Sequence, residues 1–118
     1  MINEFCYLAG RGGLKIGNNV NIALFSMLIT ATHDQRSKSF RYFTEGTELE
    51  DDVWIGARAV VLNGCRLGKG CIIGAGSVLS PRTNCEPYML FAGVPAKQRA
   101  PRGLEEDLNI EPWNVWFR

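Results

Sequence analysis

Residues 49–79 read LEDDVWIGARAVVLNGCRLGKGCIIGAGSVL, and the spacing inside that stretch decides the fold. An aliphatic side chain returns at every sixth position: Leu49, Ile55, Val61, Leu67, Ile73, Leu79. Four places after each stands a small or β-branched residue: Val53, Ala59, Cys65, Cys71, Ser77, Thr83. Upstream, Ile16, Ile22 and Leu28 keep the same phase, with Val20, Ser26 and Thr32 as their small partners. Downstream, Cys85 and Phe91 continue it. A glycine or alanine often follows the aliphatic residue, as at Gly17, Ala23, Gly56, Gly68, Gly74 and Ala92.

A period of six is neither the helical 3.6 nor the strand period of 2. It suits a short strand closed by a tight turn, with the glycines granting turn conformations closed to other residues. Three such units make a triangular coil of about 18 residues, and stacked coils make a parallel β-helix. The first and fifth hexad positions then fill the core and the sixth points outward. The expected fold is all-β: a β-helix over residues 1–97, interrupted once, with a short helical or irregular cap over 98–118. In that cap Leu104, Leu108 and Ile110 suggest a short helix, followed by Trp113, Trp116 and Phe117.

Composition agrees with one globular domain. The chain has 118 residues, 46% hydrophobic and 21% charged, with a net charge of +1. That balance argues against nucleic-acid binding through a basic field. The N-terminus has no basic segment followed by an apolar one, and the longest uncharged apolar stretch, residues 22–32, falls short of the roughly 20 residues a bilayer needs. The expectation is a cytoplasmic protein with no membrane partner. Cys6, Cys65, Cys71 and Cys85 form no C-x-x-C pair, so they read as buried thiols and no metal is expected.

The phase runs from Ile16 through His33 and then breaks. Residues 34–48, DQRSKSFRYFTEGTE, form a polar insertion, and the repeat resumes at Leu49. Insertions in a solenoid are where function concentrates. His33, the sole histidine of the chain, stands at its mouth. With the insertion removed, every third hexad shares a face of the prism. The outward columns become Asn21, Trp54, Ile72, Leu90; then Met27, Val60, Val78, Ala96; then His33, Arg66, Asn84. Two of these faces are largely apolar, and a monomer does not expose two such faces. A closed trimer buries them. The third hexad position, at one corner, reads Ala57, Ala75, Gly93. Small residues stacked there at about 4.8 Å per coil leave the backbone open to an extended ligand such as a pantetheine arm.

The run Thr30-Ala31-Thr32-His33-Asp34, the insertion, and Val53-Trp54-Ile55-Gly56-Ala57 resemble the hexapeptide-repeat O-acetyltransferases of the maltose, galactoside, nodulation and exopolysaccharide branch. Ile73-Gly74-Ala75-Gly76-Ser77-Val78 and Ala92-Gly93-Val94-Pro95-Ala96-Lys97 resemble that family's closing motifs. The resemblance implies a left-handed β-helix, a homotrimer with sites between subunits, and acetyl-CoA as acyl donor. It implies His33 as catalytic base, Ala57 and Ala75 against the pantetheine, Trp54 beside the active site, and Lys97 and Arg99 near the nucleotide. Asn3 matches an acceptor-contacting asparagine by spacing. The chain departs from the family at Ser80-Pro81-Arg82, where a lysine commonly contacts phosphate, and Arg82 is the expected substitute. Asp34 either orients the imidazole or is an ordinary loop residue.

Acetyl transfer from a thioester to a hydroxyl needs a base, and histidine exchanges protons readily near neutral pH. The acceptor expected is a sugar or glycan hydroxyl, with Arg36, Lys38, Arg41, Tyr42 and Glu45 of the insertion as hydrogen-bonding candidates. The alternatives are N-acetylation of an amino sugar and a non-catalytic scaffold. A zinc site built on three histidines is excluded by composition.

Overall fold

The structure, a computed structural model, describes residues 1–104. The hexads become short strands: β1 (Tyr7–Ala9), β2 (Leu14–Ile16), β3 (Asn21–Ile22), β4 (Met27–Ile29), β5 (Ala31–His33), β6 (Tyr42–Thr44), β7 (Thr47–Leu49), β8 (Trp54–Ile55), β9 (Val60–Val61), β10 (Arg66–Leu67), β11 (Ile72–Ile73), β12 (Val78–Leu79), β13 (Asn84–Cys85), β14 (Met89–Gly93) and β15 (Ala96–Pro101). Three parallel sheets form the faces of a prism. The first is β3-β8-β11-β14, the second β1-β4-β9-β12, and the third β2-β7-β10-β13. This is a left-handed parallel β-helix.

The inward positions are as the repeat requires. Ile22, Leu28, Ile55, Val61, Leu67, Ile73 and Leu79 are wholly buried, stacked coil over coil. The fifth positions Val53, Ala59, Cys65 and Cys71 are buried beside them. Polar fifth positions find partners: the Ser26 hydroxyl donates to the Gly56 carbonyl at 2.8 Å, and Ser77 Oγ accepts the Gly93 N–H at 3.1 Å. A buried hydroxyl is tolerated only when paired in this way.

The glycines divide into two kinds. Those after the aliphatic residue serve close approach: a Cβ on Gly56 would stand 2.6 Å from the Ala75 nitrogen and 2.9 Å from the Ile73 oxygen. The left-handed turn conformation belongs instead to the fourth hexad position, where Gly64, Gly70 and Gly76 have φ near +70°. Arg58, Arg82 and Tyr88 adopt the same conformation at equivalent positions.

Two outward columns follow the expected register. Asn21, Trp54, Ile72 and Leu90 are aligned across the first sheet, and Met27, Val60 and Val78 across the second. Ala96 does not extend the second column. The chain reverses after Gly93, and β15 pairs antiparallel with β14, setting Ala96 opposite Gly93. On the third face Lys15, Glu48, Arg66 and Asn84 are aligned, so Glu48 occupies the place expected for His33. The excursion begins and ends three residues earlier than 34–48. The coil is left after Thr30 and rejoined before Thr47, whose N–H donates to the Gly13 carbonyl at 3.0 Å. Excising 31–45 or 34–48 leaves the same downstream phase, which is why the register survived while His33 moved. Of the cap expected over 98–118, residues 98–101 belong to strand β15 and 102–104 are irregular, while the remainder of the suggested helix beyond Leu104 and the aromatic cluster fall within 105–118, outside the described residues.

Candidate functional site

The excursion is an antiparallel hairpin. β5 pairs with β6 through Ala31↔Thr44, Thr32↔Phe43 and His33↔Tyr42. His33 therefore projects from the last ladder pair, clear of the prism and exposed. Its Nδ1 lies 2.7 Å from the Phe40 carbonyl oxygen. A carbonyl only accepts, so in the neutral ring Nδ1 carries the hydrogen and Nε2 keeps its lone pair. The Tyr42 ring meets the imidazole edge-on, with centroids 5.5 Å apart, and restrains its rotation.

Asp34 is turned away from the imidazole: its carboxylate accepts the Arg36 N–H at 2.9 Å and faces Arg41 at 3.7 Å. With the Asp34 N–H donating to the Arg41 carbonyl and the Ser37 N–H to the Asp34 carbonyl, it shapes the turn that carries Phe40 back to the histidine.

The other expected residues lie on separate parts of the prism. Ala57 and Ala75 occupy the corner between the first and second faces, where the Gly76 N–H donates to the Ala57 carbonyl at 2.8 Å. One lone pair of that carbonyl is thus engaged and the other remains. Leu24 is the equivalent residue one coil earlier and closes the N-terminal end of the small-residue column. At the other end Arg99 donates from Nε to the Ala92 carbonyl at 3.0 Å, and its Nη2 lies 2.7 Å from where a Gly93 Cβ would be. Lys97 is exposed on the same strand. A cationic end thus follows the Ala57-Ala75-Gly93 column.

His33 springs from a different corner, between the second and third faces, and Arg82 stands with it. Both Arg82 Nε and Nη2 donate to the Glu45 carboxylate at 2.7 Å, and Asn63 donates to the same carboxylate at 3.0 Å. The Arg82 hydrogen bond holds the Glu45 carboxyl below its ordinary pKa. The guanidinium expected at a phosphate is therefore committed to Glu45. Trp54 is half-buried on the first face, in a cleft of about 320 Å³ with Asn19, Asn21, Asp52, Tyr88 and Arg102. Asn3 is tied to the N-terminal edge, its N–H and its side-chain amide both donating to the Ile22 carbonyl. One chain thus brings together neither His33 with Ala57 and Ala75 nor either with Asn3.

Sequence reasoning missed the structural use of Glu45 and the closing role of Leu24. Counting back from Leu49 by two gives Thr47 in an inward position, which is buried. That count would have ended the excursion at Glu45. Cys65, Cys71 and Cys85 are buried in the core. Burial pushes the Cys65 pKa up, and a hydrogen bond with the free Cys71 thiol, with burial, pushes that of Cys85 up. Among the described residues no three His, Cys, Asp or Glu side chains converge as a metal site, and no helix is long and apolar enough to cross a membrane.

A prism of three parallel sheets wound from hexads, with a histidine hairpin at one corner, defines a hexapeptide-repeat protein. Residues 46–81 match the bacterial transferase hexapeptide family (six repeats). The chain is 34% identical to a chloramphenicol acetyltransferase of Escherichia coli over 124 aligned positions, covering 99% of this chain and 58% of the relative. It is 38% identical to a galactoside O-acetyltransferase of Lactococcus lactis over 69 positions, covering 55% of this chain and 33% of the relative. A hexapeptide-repeat acetyltransferase of Vibrio cholerae solved with acetyl-CoA superposes with a TM-score of 0.76 at 26% identity, covering 84% of this chain and 55% of that one. The chain belongs to the hexapeptide-repeat acetyltransferase family. It spans about a third to three fifths of the length of these relatives.

Proposed function

We propose that the protein transfers an acetyl group from acetyl-CoA to a hydroxyl of a small acceptor of the sugar or glycan class, with His33 as general base. The observation that carries this reading is the bond from His33 Nδ1–H to the Phe40 carbonyl, which fixes the tautomer and leaves Nε2 free. The acceptor O–H gives its proton to Nε2 as its oxygen attacks the thioester carbon. The new C–O bond forms, the C–S bond breaks, and the imidazolium returns the proton to the departing thiolate. No acyl-enzyme is needed, in keeping with the burial of Cys65, Cys71 and Cys85 in the core.

The pantetheine arm lies along Ala57 and Ala75, with Lys97 and Arg99 toward the nucleotide phosphates and Trp54 near the site. The separate corners of His33 and of Ala57 and Ala75 favour a site completed by a second copy. The apolar columns Trp54-Ile72-Leu90 and Met27-Val60-Val78 are the surfaces that a homotrimer would cover. Asn3 and Asp34 are the acceptor-side residues of this reading. Asp34 acts through the turn it shapes.

Isothermal calorimetry with acetyl-CoA tests the donor half without knowledge of the acceptor. Saturable binding, about one site per chain and lost in Ala75→Trp, is expected. A folded protein that takes up no acetyl-CoA refutes the proposal.

A further inference from the structure

We propose that Glu45, gripped by Arg82 and Asn63, is a positioning residue that sets the angle of the His33 hairpin against the prism. The inference rests on the reading of His33 as the base.

The hairpin is a two-stranded ladder of three pairs, and such a ladder has little rigidity of its own. Its direction is set at its foot. The entry strand is anchored by Thr30, which is fully buried. Thr30 Oγ1 bonds the Ala9 carbonyl and accepts the Gly12 N–H at 2.9 Å. The exit strand is anchored by Glu45. Its N–H donates to the Thr30 carbonyl at 2.9 Å, and its carboxylate reaches across two further coils of the corner. Asn63 meets it from the next coil and Arg82 from the one after, while the Arg82 N–H donates to the Asn63 carbonyl at 2.8 Å. The clamp thus joins the hairpin foot to three successive coils.

The bed for this clamp is bare backbone. A Cβ on Gly64 would stand 3.0 Å from Arg82 Cγ and 3.0 Å from Glu45 Oε2, and Gly64 has a φ of +74° that favours glycine. The fork of the guanidinium takes both carboxylate oxygens, a geometry an ammonium does not reproduce. The carboxyl is held below its ordinary pKa by that arginine, so it stays charged through the neutral range.

The lever arm is short but sufficient. His33 stands three residues past Thr30, roughly 10 Å along an extended strand. A tilt of about 6° at the foot then moves the imidazole by about 1 Å, and a displacement of that size costs an enzyme on the order of 10²-fold in rate. Arg82 is 68% exposed at its side chain, and exposed ion pairs add little to stability. The clamp therefore acts on geometry more than on folding, and its removal leaves a folded protein.

The test compares full-length wild type, Arg82→Ala, Arg82→Lys and Glu45→Gln. Turnover of acetyl-CoA is followed with chloramphenicol and with a thiogalactoside as acceptor probes, and the His33 ring is followed by nitrogen-15 NMR. The expected result is a kcat lowered about tenfold or more in Arg82→Ala and Glu45→Gln, a KM for acetyl-CoA within about twofold, partial recovery in Arg82→Lys, and a shifted or broadened Nδ1 resonance. Unchanged kcat together with an unchanged His33 spectrum overturns the proposal. A spectrum that shifts while His33→Asn retains full activity keeps the positioning role but refutes the base assignment. If neither probe turns over in wild type, the ring spectrum alone decides: unchanged in Arg82→Ala, it overturns the clamp.

Discussion

Replacing His33 by asparagine separates the loop bond that the structure shows for the imidazole from the base role proposed for it. The side-chain amide of His33→Asn falls near the position of Nδ1 and can still donate to the Phe40 carbonyl, which lies 2.7 Å from Nδ1 in the native hairpin. It offers no basic lone pair in place of Nε2. The loop bond is retained and the base is lost. Loss of a general base costs roughly 10²–10⁴-fold, or about 2.7–5.4 kcal/mol of transition-state stabilisation at about 1.36 kcal/mol per decade. His33→Ala should suffer the same rate loss and also free the Phe40 carbonyl, a net cost of about 1 kcal/mol or less for an exposed neutral bond. The assay is thiol release from acetyl-CoA under saturating acceptor, alongside calorimetric affinity for acetyl-CoA. The expected pattern is a collapse of kcat in both variants with donor affinity within about twofold of wild type. Retention by His33→Asn of more than about a tenth of native kcat would refute the reasoning, because the hydrogen-bonding role would then have carried the rate.

Two further outcomes follow from the fold and its charges. Leu67→Ala, at a site with 0% exposure between Leu49 and Cys85 in the third-face stack, should lower unfolding stability by about 2–5 kcal/mol, read as a fall in the urea midpoint at unchanged slope; a loss under about 1 kcal/mol would mean the stack is not closely packed. The Glu45 and Glu50 carboxyls are held below the ordinary pKa of 4.5, chiefly by hydrogen bonds from Arg82 and Arg66. A depressed folded pKa stabilises the native state above the unfolded value and is lost as pH falls through the folded one. The melting temperature should therefore drop below about pH 4.5, less steeply in the Glu45→Gln, Glu50→Gln double variant, and identical acid profiles would remove these carboxylates from the account.

The parts of the fold that repeat were legible because each repeated residue answers the same local demand. Ile55, Val61, Leu67 and Ile73 are inward for one reason, and that reason recurs every sixth residue. Where the repeat stops, the reason stops with it. The phase fixes how many residues are inserted but not which ones, so Glu48 rather than His33 lies beside Arg66. What decides between the two is non-local: Thr47 buried against the core and Glu45 held by Arg82 two coils away. The end of the helix departs from the count on the same ground. Ala96 has the right count for the second face, but a reversal after Gly93 turns β15 back along β14. His33, Ala57, Ala75 and Arg99 were legible as candidates because their motifs are contiguous. The partner of Arg82 was not, because 37 residues separate it from Glu45.

The fourth hexad position shows how one corner came to be open while the others are covered. From Arg58 to Tyr88 each fourth position has a left-handed backbone, and glycine meets that demand without strain. At the corner of Gly64 the next coil lays Arg82 across it, and at the corner of Gly70 the next coil lays Tyr88 across it; a Cβ on Gly70 would stand within 2.5 Å of the Tyr88 ring at Cδ1. Glycine there makes room for a large neighbour. Gly76 differs, for among the described residues nothing lies within 4 Å of where its Cβ would point. It has φ +70° and sits one residue after Ala75, on the corner of the small-residue column. A left-handed turn alone would tolerate the strain of a larger residue, as Arg58 does one coil earlier on the same corner, where it reaches back to lie 5.7 Å from the Phe25 ring. The combination of Ala57, Ala75 and an uncovered Gly76 leaves this corner of the prism open. It keeps a strip of backbone clear between Leu24 and Arg99, over three coil rises of roughly 14 Å in all. Under the function proposed above, that length would hold an extended pantetheine arm, with its cationic anchor at Arg99 and its reacting group at the other end.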